Sequence, residues 1–474
     1  MTVFDVVIVG AGSAGCVLAD RLSAKGSSVC VIEAGPDLRP DTTPPSISGR
    51  SFFDALAEPG RIYPDLMARR VAGQPERPYL RGRGVGGSSA VNAMVGLWGE
   101  VDDYDAWERD HGCIGWAWRD VEKYFRRIEV PLTKVDPDDE GMVGRALVES
   151  CVLNGWPLHR GPFPLGGLSA DVGPAMLTRD ADGRRVTAAD VYLERARSRP
   201  NVEVRCDAVV RRVMIEAGRA TGVLLADGTL IDAREVVVCA GAIHSPAILL
   251  RSGVELPSLG AGLQDHPSAP VTLSVFRSTD TTGLAVSALA RFSSGRHPAD
   301  LQILPIDHLG PSAPGLASIS VALMKVGSRG TVRLDPTDPD REPIVDFALL
   351  SDESDRESLT VGMGVLLDLL EHSSFTDVVE AAYVDDVGTP LASIASSPDA
   401  IRAWLGRATG DYVHAAGTCA MGDPTSDETV VDARGCVVGI AGLRVCDASI
   451  MPSLPRANTH FPVMMIAEAI ADRW

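Results

Sequence analysis

The stretch Asp5-Val6-Val7-Ile8-Val9-Gly10-Ala11-Gly12-Ser13-Ala14-Gly15 decides the fold of this chain. Its first five residues include an apolar, β-branched run typical of a buried strand. The three glycines that follow have the spacing GxGxxG. The first glycine permits a tight turn, the second lets the backbone approach a pyrophosphate, and the third allows close helix–strand packing. A helical segment over 14–24 and a second strand over 29–32 come next, so the sequence predicts a strand–turn–helix–strand unit that binds a dinucleotide.

Glu33 ends the second predicted strand, where a carboxylate can accept hydrogen bonds from ribose hydroxyls. The pyrophosphate is expected at the N-terminus of the helix, where free N–H groups and the helix dipole favour an anion. A carboxylate at residue 33 disfavours the 2′-phosphate of NADP. The motif does not separate FAD from NAD, so the identity of the dinucleotide is open at this point.

Length, composition and charge exclude several classes of protein. A chain of 474 residues with 45% hydrophobic and 23% charged residues is expected to fold, with core enough for two or three domains. The formal net charge of −19 disfavours nucleic acid and anionic membranes as partners. The chain has no run of 18 or more apolar residues, so we expect no transmembrane segment. The apolar run at 4–9 leads into a glycine turn, which indicates a strand rather than a signal peptide.

The nine cysteines are scattered and form no CxxC pair. This pattern suits a reducing compartment and argues against a disulfide framework or a metal site. Arginine far outnumbers lysine, as is typical of proteins from GC-rich bacterial genomes. We therefore expect a cytoplasmic bacterial protein without a bound metal.

Six further blocks stand out along the chain: GRGVGGSSAVNAM at 82–94, GAIHSP at 241–246, GLQDHP at 262–267, HAAGTCAMG at 414–422, DASIMP at 447–452 and NTHFP at 458–462. These blocks resemble those of the glucose–methanol–choline (GMC) oxidoreductase family. They keep the family order and span nearly the whole chain. The resemblance implies that the dinucleotide is FAD and that the protein oxidises an alcohol to an aldehyde or ketone.

The resemblance also implies which residues surround the FAD. Val210 corresponds to the adenine position in a strand pair over 201–210. Asn92 corresponds to a residue at the isoalloxazine edge, and Asp447 to one near the ribityl chain. A last helix that opens at Pro462 would direct its dipole at the flavin. The complete set of predicted cofactor contacts is Gly10, Gly12, Ser13, Ala14, Gly15, Glu33, Ala34, Arg83, Gly86, Gly87, Ser88, Asn92, Ala93, Val210, Ala240, Gly241, Asp447, Ala448, His460, Phe461 and Pro462.

Val91 departs from the pattern of the choline oxidases, which carry at this position the histidine that bonds covalently to flavin. Valine cannot form that bond. We therefore expect non-covalent FAD.

Alcohol oxidation needs a base near the substrate hydroxyl, and histidine is the natural candidate at neutral pH. His414 matches the catalytic histidine of the family, and His460 matches the second active-site position, where the family has His or Asn. We expect His414 to act as the general base, or to hydrogen-bond the alkoxide, and His460 to position the hydroxyl, with the two roles open to exchange. His244 and His266 are predicted to be structural.

The predicted fold class is α/β, with a discontinuous Rossmann-like FAD domain and an α+β substrate domain that carries an antiparallel sheet. The FAD domain is assigned to 1–40, 75–125, 185–265 and 410–474. The substrate domain is assigned to 41–74, 126–184 and 266–409. Strands are predicted over 319–324 and 330–334, and helices over 354–371 and 398–406.

Three features of the function stay open at this stage. The substrate is a small-molecule alcohol that the sequence does not identify. The electron acceptor is oxygen, a quinone or a redox protein. The compact length also fits dehydrogenases that reoxidise mycofactocin, and a non-redox enzyme similar to the hydroxynitrile lyases of this fold is compatible with both histidines.

Overall fold

A computed structural model of the chain describes residues 3–159, 161–276 and 283–474. The predicted N-terminal unit is present: strand β1 covers Phe4–Val9, helix α1 covers Ser13–Ala24, and strand β2 covers Val29–Ile32. β1 and β2 are parallel neighbours, with Val9 opposite Ile32. The strand–turn–helix–strand prediction is therefore confirmed.

The other elements follow in chain order. The strands are β3 (Met67–Arg69), β4 (Arg77–Pro78), β5 (Thr133–Lys134), β6 (Ala170–Pro174), β7 (Met176–Leu177), β8 (Val202–Arg205), β9 (Val210–Glu216), β10 (Arg219–Leu225), β11 (Leu230–Val238), β12 (Ala261–Leu263), β13 (Ser268–Val275), β14 (Ala288–Phe292), β15 (Leu301–Ile306), β16 (Leu316–Leu323), β17 (Gly330–Arg333), β18 (Ile344–Asp346), β19 (Val379–Tyr383) and β20 (Leu443–Val445).

The helices are α2 (Pro45–Ser48), α3 (Phe52–Ala57), α4 (Val101–His111), α5 (Trp118–Phe125), α6 (Met142–Leu153), α7 (Glu194–Arg197), α8 (Gly241–Arg251), α9 (Glu353–Leu370), α10 (Ser373–Thr376), α11 (Pro398–Ala408) and α12 (His460–Asp472). Short 3-10 turns cover Gly87–Ala90, Pro137–Asp139, Leu391–Ser393 and Ala448–Ile450, and a π-helical turn covers Ala189–Leu193.

The first sheet joins seven strands in the order β8-β2-β1-β11-β10-β9, with β20 paired to β11. The pairs among β8, β2, β1, β11 and β20 are parallel, whereas β10 pairs antiparallel with both β11 and β9. The neighbouring parallel strands β1 and β2 are almost wholly apolar, as expected for strands that helices cover. β8 and β9 do not pair with each other, so the predicted adenine strand pair over 201–210 is corrected to two separate strands, each held by a different neighbour.

The second sheet is antiparallel, in the order β19-β13-β16-β15-β14-β6. β15 and β16 contact α9 on one face. Ile319 and Val321 of β16 are fully buried, whereas their neighbours Ser318 and Ser320 line a large cavity on the opposite face. This period-two alternation is expected for a sheet with two different faces. The predicted α/β class with an added antiparallel sheet is confirmed.

The third sheet has the order β12-β17-β18-β3-β4. It joins β4 and β12, which lie in the ranges assigned to the FAD domain, to strands from the ranges assigned to the substrate domain. The two parts of the chain therefore share this sheet, and the proposed domain division stays a prediction. The ranges 1–40, 126–184 and 266–409 also include a few residues outside the described part of the chain.

Predicted and observed element bounds agree within a few residues for the later strands and helices. The clearest shift is in the last helix, which begins at His460 rather than at Pro462. Pro462 then lies in the first turn, where a helix does not use the missing backbone N–H. None of the helices built from the described residues is both long enough and apolar enough to cross a membrane.

Close packing inside the N-terminal unit explains two of its glycines. A Cβ on Gly15 would lie 1.9 Å from the carbonyl oxygen of Gly10, so helix α1 can approach the end of β1 only without a side chain there. A Cβ on Gly12 would find its nearest heavy atom, Gly87 Cα, at 4.0 Å. The protein itself therefore leaves space for a methyl group on Gly12.

These two glycines should respond differently to the same substitution. We expect Gly15→Ala to lower the free energy of unfolding by about 1–3 kcal/mol, because backbone must move to admit the methyl group. Gly12→Ala should leave the free energy of unfolding of the flavin-free protein nearly unchanged but reduce the amount of flavin that copurifies, because the methyl group would occupy the path of the pyrophosphate. Urea unfolding and the visible flavin spectrum measure the two effects. Equal unfolding free energies for the two variants would contradict this account of Gly15.

Candidate active site

A large cavity of about 1320 Å³ lies between the carboxyl edge of the first sheet and the serine-bearing face of the second. Most of the predicted cofactor residues and both predicted catalytic histidines line it. The predicted residues in its lining are Gly10, Gly12, Ser13, Ala14, Glu33, Ala34, Arg83, Gly87, Ser88, Asn92, Ala93, Val210, Ala240, Gly241, His414, Asp447, Ala448 and His460.

Parallel strand register explains why residues so distant in sequence meet at this edge. Val9 lies opposite both Ile32 and Val238, and Val238 lies opposite Val445. The residues just beyond these strand ends, which include Gly10, Glu33, Gly241 and Asp447, are therefore brought side by side. In open α/β sheets, ligands bind at the carboxyl ends of the strands.

The turn at Gly10–Gly12 has the features of a pyrophosphate site. No side chain caps the first turn of α1, so its N–H groups are available for an anion. Glu33 stands beside the turn and accepts hydrogen bonds from the backbone N–H groups of Ala11 at 2.8 Å, Gly84 at 2.9 Å and Gly35 at 3.1 Å. These bonds fix the carboxylate where the ribose is predicted. The shape, the free amides and the acidic residue all fit FAD.

Asp447 lines the cavity and is held by two hydrogen bonds. Its carboxylate accepts hydrogen bonds from Ser245 Oγ at 2.6 Å and from the Gly241 N–H at 2.8 Å. It thus ties β20 to the start of α8. Asn92, another lining residue, is fixed by Arg185, whose Nη1 donates to Asn92 Oδ1 at 2.7 Å and to the Asn92 carbonyl at 2.6 Å.

Four predicted cofactor residues do not line the cavity: Gly15, Gly86, Phe461 and Pro462. Gly15 serves packing between helix and strand, as described above. Gly86 has a φ of +91° and forms the turn that precedes Gly87–Ala90. Phe461 and Pro462 are buried in the first turn of α12 and face the protein interior. Their predicted contacts with the cofactor stay predictions.

His414 lines the same cavity as the dinucleotide turn. Its Nδ1 is 3.0 Å from Nδ1 of His266, and its Nε2 is 3.5 Å from the Asn458 amide nitrogen. Its backbone N–H donates to Asp265 Oδ1 at 2.9 Å. The His414 ring is therefore held by His266 on one side, and the Asn458 amide contacts its other nitrogen.

His460 occupies a different position from the one that the sequence suggested. Its Nδ1 is 2.9 Å from Ser13 Oγ, which belongs to the dinucleotide turn. Asn458, two residues earlier, is the side chain that reaches His414 Nε2. Because His460 is the first residue of α12 and Asn458 precedes the helix, the two side chains point to different neighbours. Of the two side chains, Asn458 is therefore the one that contacts His414.

Sequence reasoning passed over Tyr412 in this region and assigned His266 and His244 to structural roles. Tyr412 lines the cavity, and its ring contacts His414 edge-on with centroids 5.1 Å apart. His266, predicted to be structural, contacts the His414 ring directly. His244, also predicted to be structural, lines the cavity, stacks on Tyr63 at 4.2 Å and is 2.8 Å from Glu342. Asn458 and Tyr412 carried a detectable signal, since each lies within two residues of a predicted catalytic histidine.

Burial sets the charge state of the histidines. It holds the pKa of His414 well below the ordinary value, and the nearby His266 and Arg81 lower it further. Burial also lowers the pKa of His460 to about 4, with a smaller contribution from Arg185. Both rings are therefore neutral near pH 7 and each has one nitrogen that can accept a proton.

Comparison with known proteins gives a consistent result. The N-terminal and C-terminal profiles described as GMC oxidoreductase match residues 4–268 and 326–467. The chain is 34% identical to the 5-(hydroxymethyl)furfural oxidase of Methylovorus sp. (strain MP688), over 99% of this chain and 98% of that protein. It is 32% identical to the oxygen-dependent choline dehydrogenase of Paraburkholderia xenovorans (strain LB400), over 99% and 94% of the two chains.

Among solved structures, pyridoxine 4-oxidase from Mesorbium loti matches with a TM-score of 0.89 and 27% identity, over 99% of both chains. Formate oxidase matches with a TM-score of 0.85 at 21% identity, which supports the fold alone.

The lowered pKa of His460 makes a prediction about acid stability. Between pH 6.5 and about 4 the unfolded chain binds a proton at this residue and the folded chain does not, so acid favours unfolding. Relative to His460→Asn, the wild-type protein should therefore lose about 2 kcal/mol of unfolding free energy between pH 7 and pH 5. Urea unfolding at both pH values measures this difference. The exposed His297→Asn is the control and should track the wild type; a pH-independent difference for His460→Asn would exclude a buried neutral His460.

Proposed function

Because the chain belongs to the GMC oxidoreductase family and is an FAD-dependent alcohol oxidoreductase, we propose that His414 takes the proton from the substrate hydroxyl and that Asn458 holds the substrate oxygen. Bound FAD supplies the hydride acceptor that side chains cannot provide. The residues at the edge of the first sheet hold this cofactor. The end of the cavity around His414 is then left for the alcohol.

Three unsatisfied polar atoms carry this proposal. Tyr412 OH, Asn458 Oδ1 and His460 Nε2 are buried and have no hydrogen-bond partner among the described residues, and all three residues line the cavity that His414 lines. A buried polar atom without a partner is costly, and native proteins rarely keep one without a ligand or water to satisfy it. Such a cluster beside a neutral histidine is suited to bind a hydroxyl group and remove its proton.

His460 is placed on the cofactor side of the cavity in this proposal, since its Nδ1 is bonded to Ser13 of the dinucleotide turn. Its free Nε2 then faces the space between Ser13 and the alcohol. Non-covalent attachment of FAD is supported by Val91, which lines the cavity and has no nucleophilic atom. Acid precipitation should accordingly release all flavin into the supernatant, and flavin retained in the pellet would contradict this part of the proposal.

The same substitution at the two histidines tests the assignment of roles. We expect His414→Asn to slow anaerobic flavin reduction by an alcohol by about 10²–10⁴-fold, because a general base is lost. His460→Asn should slow it by less than about 10-fold, because Asn keeps a polar group beside Ser13. Asn458→Ala should have an intermediate effect of about 10-fold, the value of one hydrogen bond.

Stopped-flow absorbance measures these rates, with flavin content as the control for cofactor binding. A larger loss in His460→Asn than in His414→Asn would reverse the assignment. Failure of every alcohol tried to bleach the flavin would favour a non-redox enzyme similar to the hydroxynitrile lyases.

The cavity favours an uncharged alcohol as the substrate. Every carboxylate in its described lining already accepts a hydrogen bond or an ion pair from the protein, so each is held by the protein before a substrate binds. The carboxylates and their partners are Glu33 with backbone amides, Glu58 with Ser46, Asp340 with Arg211, Glu342 with His244, Asp411 with Arg70, and Asp447 with Ser245. Arg81 adds positive charge near His414.

One face of the second sheet forms a wall of the cavity that carries no charged side chain. Its residues are Ser268, Pro270, Leu304, Ile306, Ser318 and Ser320. This wall suits a small, mostly apolar body with a few polar atoms, such as a hydroxymethyl group on a ring. It offers nothing to offset the burial of a quaternary ammonium. The relative named 5-(hydroxymethyl)furfural oxidase acts on a neutral compound of this type, by its name.

Choline and 3,3-dimethylbutan-1-ol test this substrate class, because they share one shape and differ in charge. We expect kcat/KM for flavin reduction to be at least about 10-fold higher with the neutral alcohol, since a buried charge without a partner is unfavourable. An aromatic alcohol such as 5-(hydroxymethyl)furfural serves as the positive control. A preference for choline would overturn the assignment of an uncharged substrate and leave the role of His414 untouched.

A further inference from the structure

His266 lies directly behind His414, on the side away from the cavity. It belongs to the turn after β12 and is fully buried. Its Nδ1 is 3.0 Å from His414 Nδ1, and the two rings are nearly perpendicular, at 87°. A separation of 3.0 Å between two ring nitrogens is a hydrogen bond in which one nitrogen donates and the other accepts.

The direction of this bond decides whether His414 can act as a base. If His414 Nδ1 carries the hydrogen, its Nε2 has a free lone pair on the cavity side. If His266 Nδ1 carries it, the hydrogen of neutral His414 is on Nε2, and His414 cannot accept a proton there. Burial lowers the pKa of His266 to about 3 and that of His414 well below the ordinary value. Both rings are therefore neutral near pH 7, and each carries a hydrogen on only one of its two nitrogens.

Two surroundings favour donation by His414. The backbone groups of Pro455 and Met324 lie near the His266 ring and raise its pKa as hydrogen-bond acceptors. Since Nδ1 faces His414, these acceptors favour a hydrogen on His266 Nε2, although that atom makes no bond of standard geometry to the described residues. On the other side of the pair, the Asn458 amide nitrogen points at His414 Nε2 from 3.5 Å, as a donor facing a lone pair.

Asp265 fixes the positions of His266 and His414 relative to each other. One of its carboxylate oxygens accepts the backbone N–H groups of His266 at 2.8 Å and of His414 at 2.9 Å. The other accepts the hydroxyl of Tyr79 at 2.9 Å. A shift of either histidine would break one of these bonds, so the contact between the rings is built into the fold.

We propose that His266 is a positioning residue that accepts the Nδ1 hydrogen of His414 and thereby fixes His414 as the tautomer with a free Nε2. This proposal rests on the role of His414 as the base. His266 touches neither substrate nor cofactor in it. Its effect is transmitted entirely through the His414 ring, which also keeps its orientation toward Asn458.

Nitrogen NMR of the flavin-loaded enzyme with ¹⁵N-labelled histidine tests the tautomer directly. The His414 signals are identified by their loss in His414→Asn. We expect a protonated Nδ1 and an unprotonated Nε2 in the wild type. A hydrogen on His414 Nε2 in the resting wild-type enzyme would overturn the proposal, whatever the kinetics of the variants.

Two substitutions at His266 supply the kinetic test. His266→Leu removes the acceptor with little change in volume, and should slow flavin reduction by roughly 10- to 100-fold, with both His414 tautomers in the spectrum and little change in KM. His266→Asn places an amide oxygen where Nδ1 was and should restore the rate to within about threefold of the wild type. Flavin reduction at the wild-type rate in His266→Leu would also overturn the proposal.

The design separates this proposal from the one that it rests on. If His414→Asn reduces flavin normally, the base role fails, while the wild-type spectrum still reports the direction of the bond. If His266→Leu does not fold, the wild-type spectrum and the rate of His266→Asn decide the outcome, since loss of activity in His266→Asn with normal flavin content would count against an acceptor role.

Discussion

The carboxylate of Asp265 is buried within the protein and accepts hydrogen bonds from four groups: the backbone N–H groups of His266, Tyr412 and His414, and the hydroxyl of Tyr79. Burial raises its pKa to about 7, which shows how much hydration it gives up. The four donors offset that loss. Because they come from segments far apart in the chain, one side chain joins the loop that carries His414 to the strand that enters the second sheet.

The dinucleotide turn depends on a second carboxylate used in the same way. Glu33 binds the backbone of the dinucleotide turn, of its own strand end and of the glycine-rich block near Gly84. Glu33 thus fixes the turn proposed to hold the cofactor, and Asp265 fixes the loop that carries His414, and both segments line one cavity. Asp447 joins the end of β20 to the start of α8 in the wall of the same cavity. Alcohol oxidation needs this arrangement, since the base and the hydride acceptor must reach the same carbinol group.

Sequence alone predicted the parts of the fold that depend on local pattern. The β1–α1–β2 unit follows from an apolar run, three spaced glycines and an acidic strand end. The place of Asn458 beside His460 marked its segment, but its contact with His414 could not be predicted in this way, because that contact joins two segments that meet only after the strands and the last helix are packed. His266 was interpreted as structural for the same reason: its partner lies 148 residues away. The NTHFP block predicts His460 as the residue that contacts the substrate. In the fold, α12 begins at His460 and its side chain contacts Ser13.

The central claim is that His414 and Asn458, rather than His460, receive the substrate oxygen. A crystal structure of the flavin-loaded enzyme with an alcohol that lacks an α-hydrogen measures this directly, because such a compound binds without being oxidised. We predict that its oxygen lies within hydrogen-bond distance of both His414 Nε2 and the Asn458 side chain. An oxygen bound to His460 and out of reach of His414 would contradict the account.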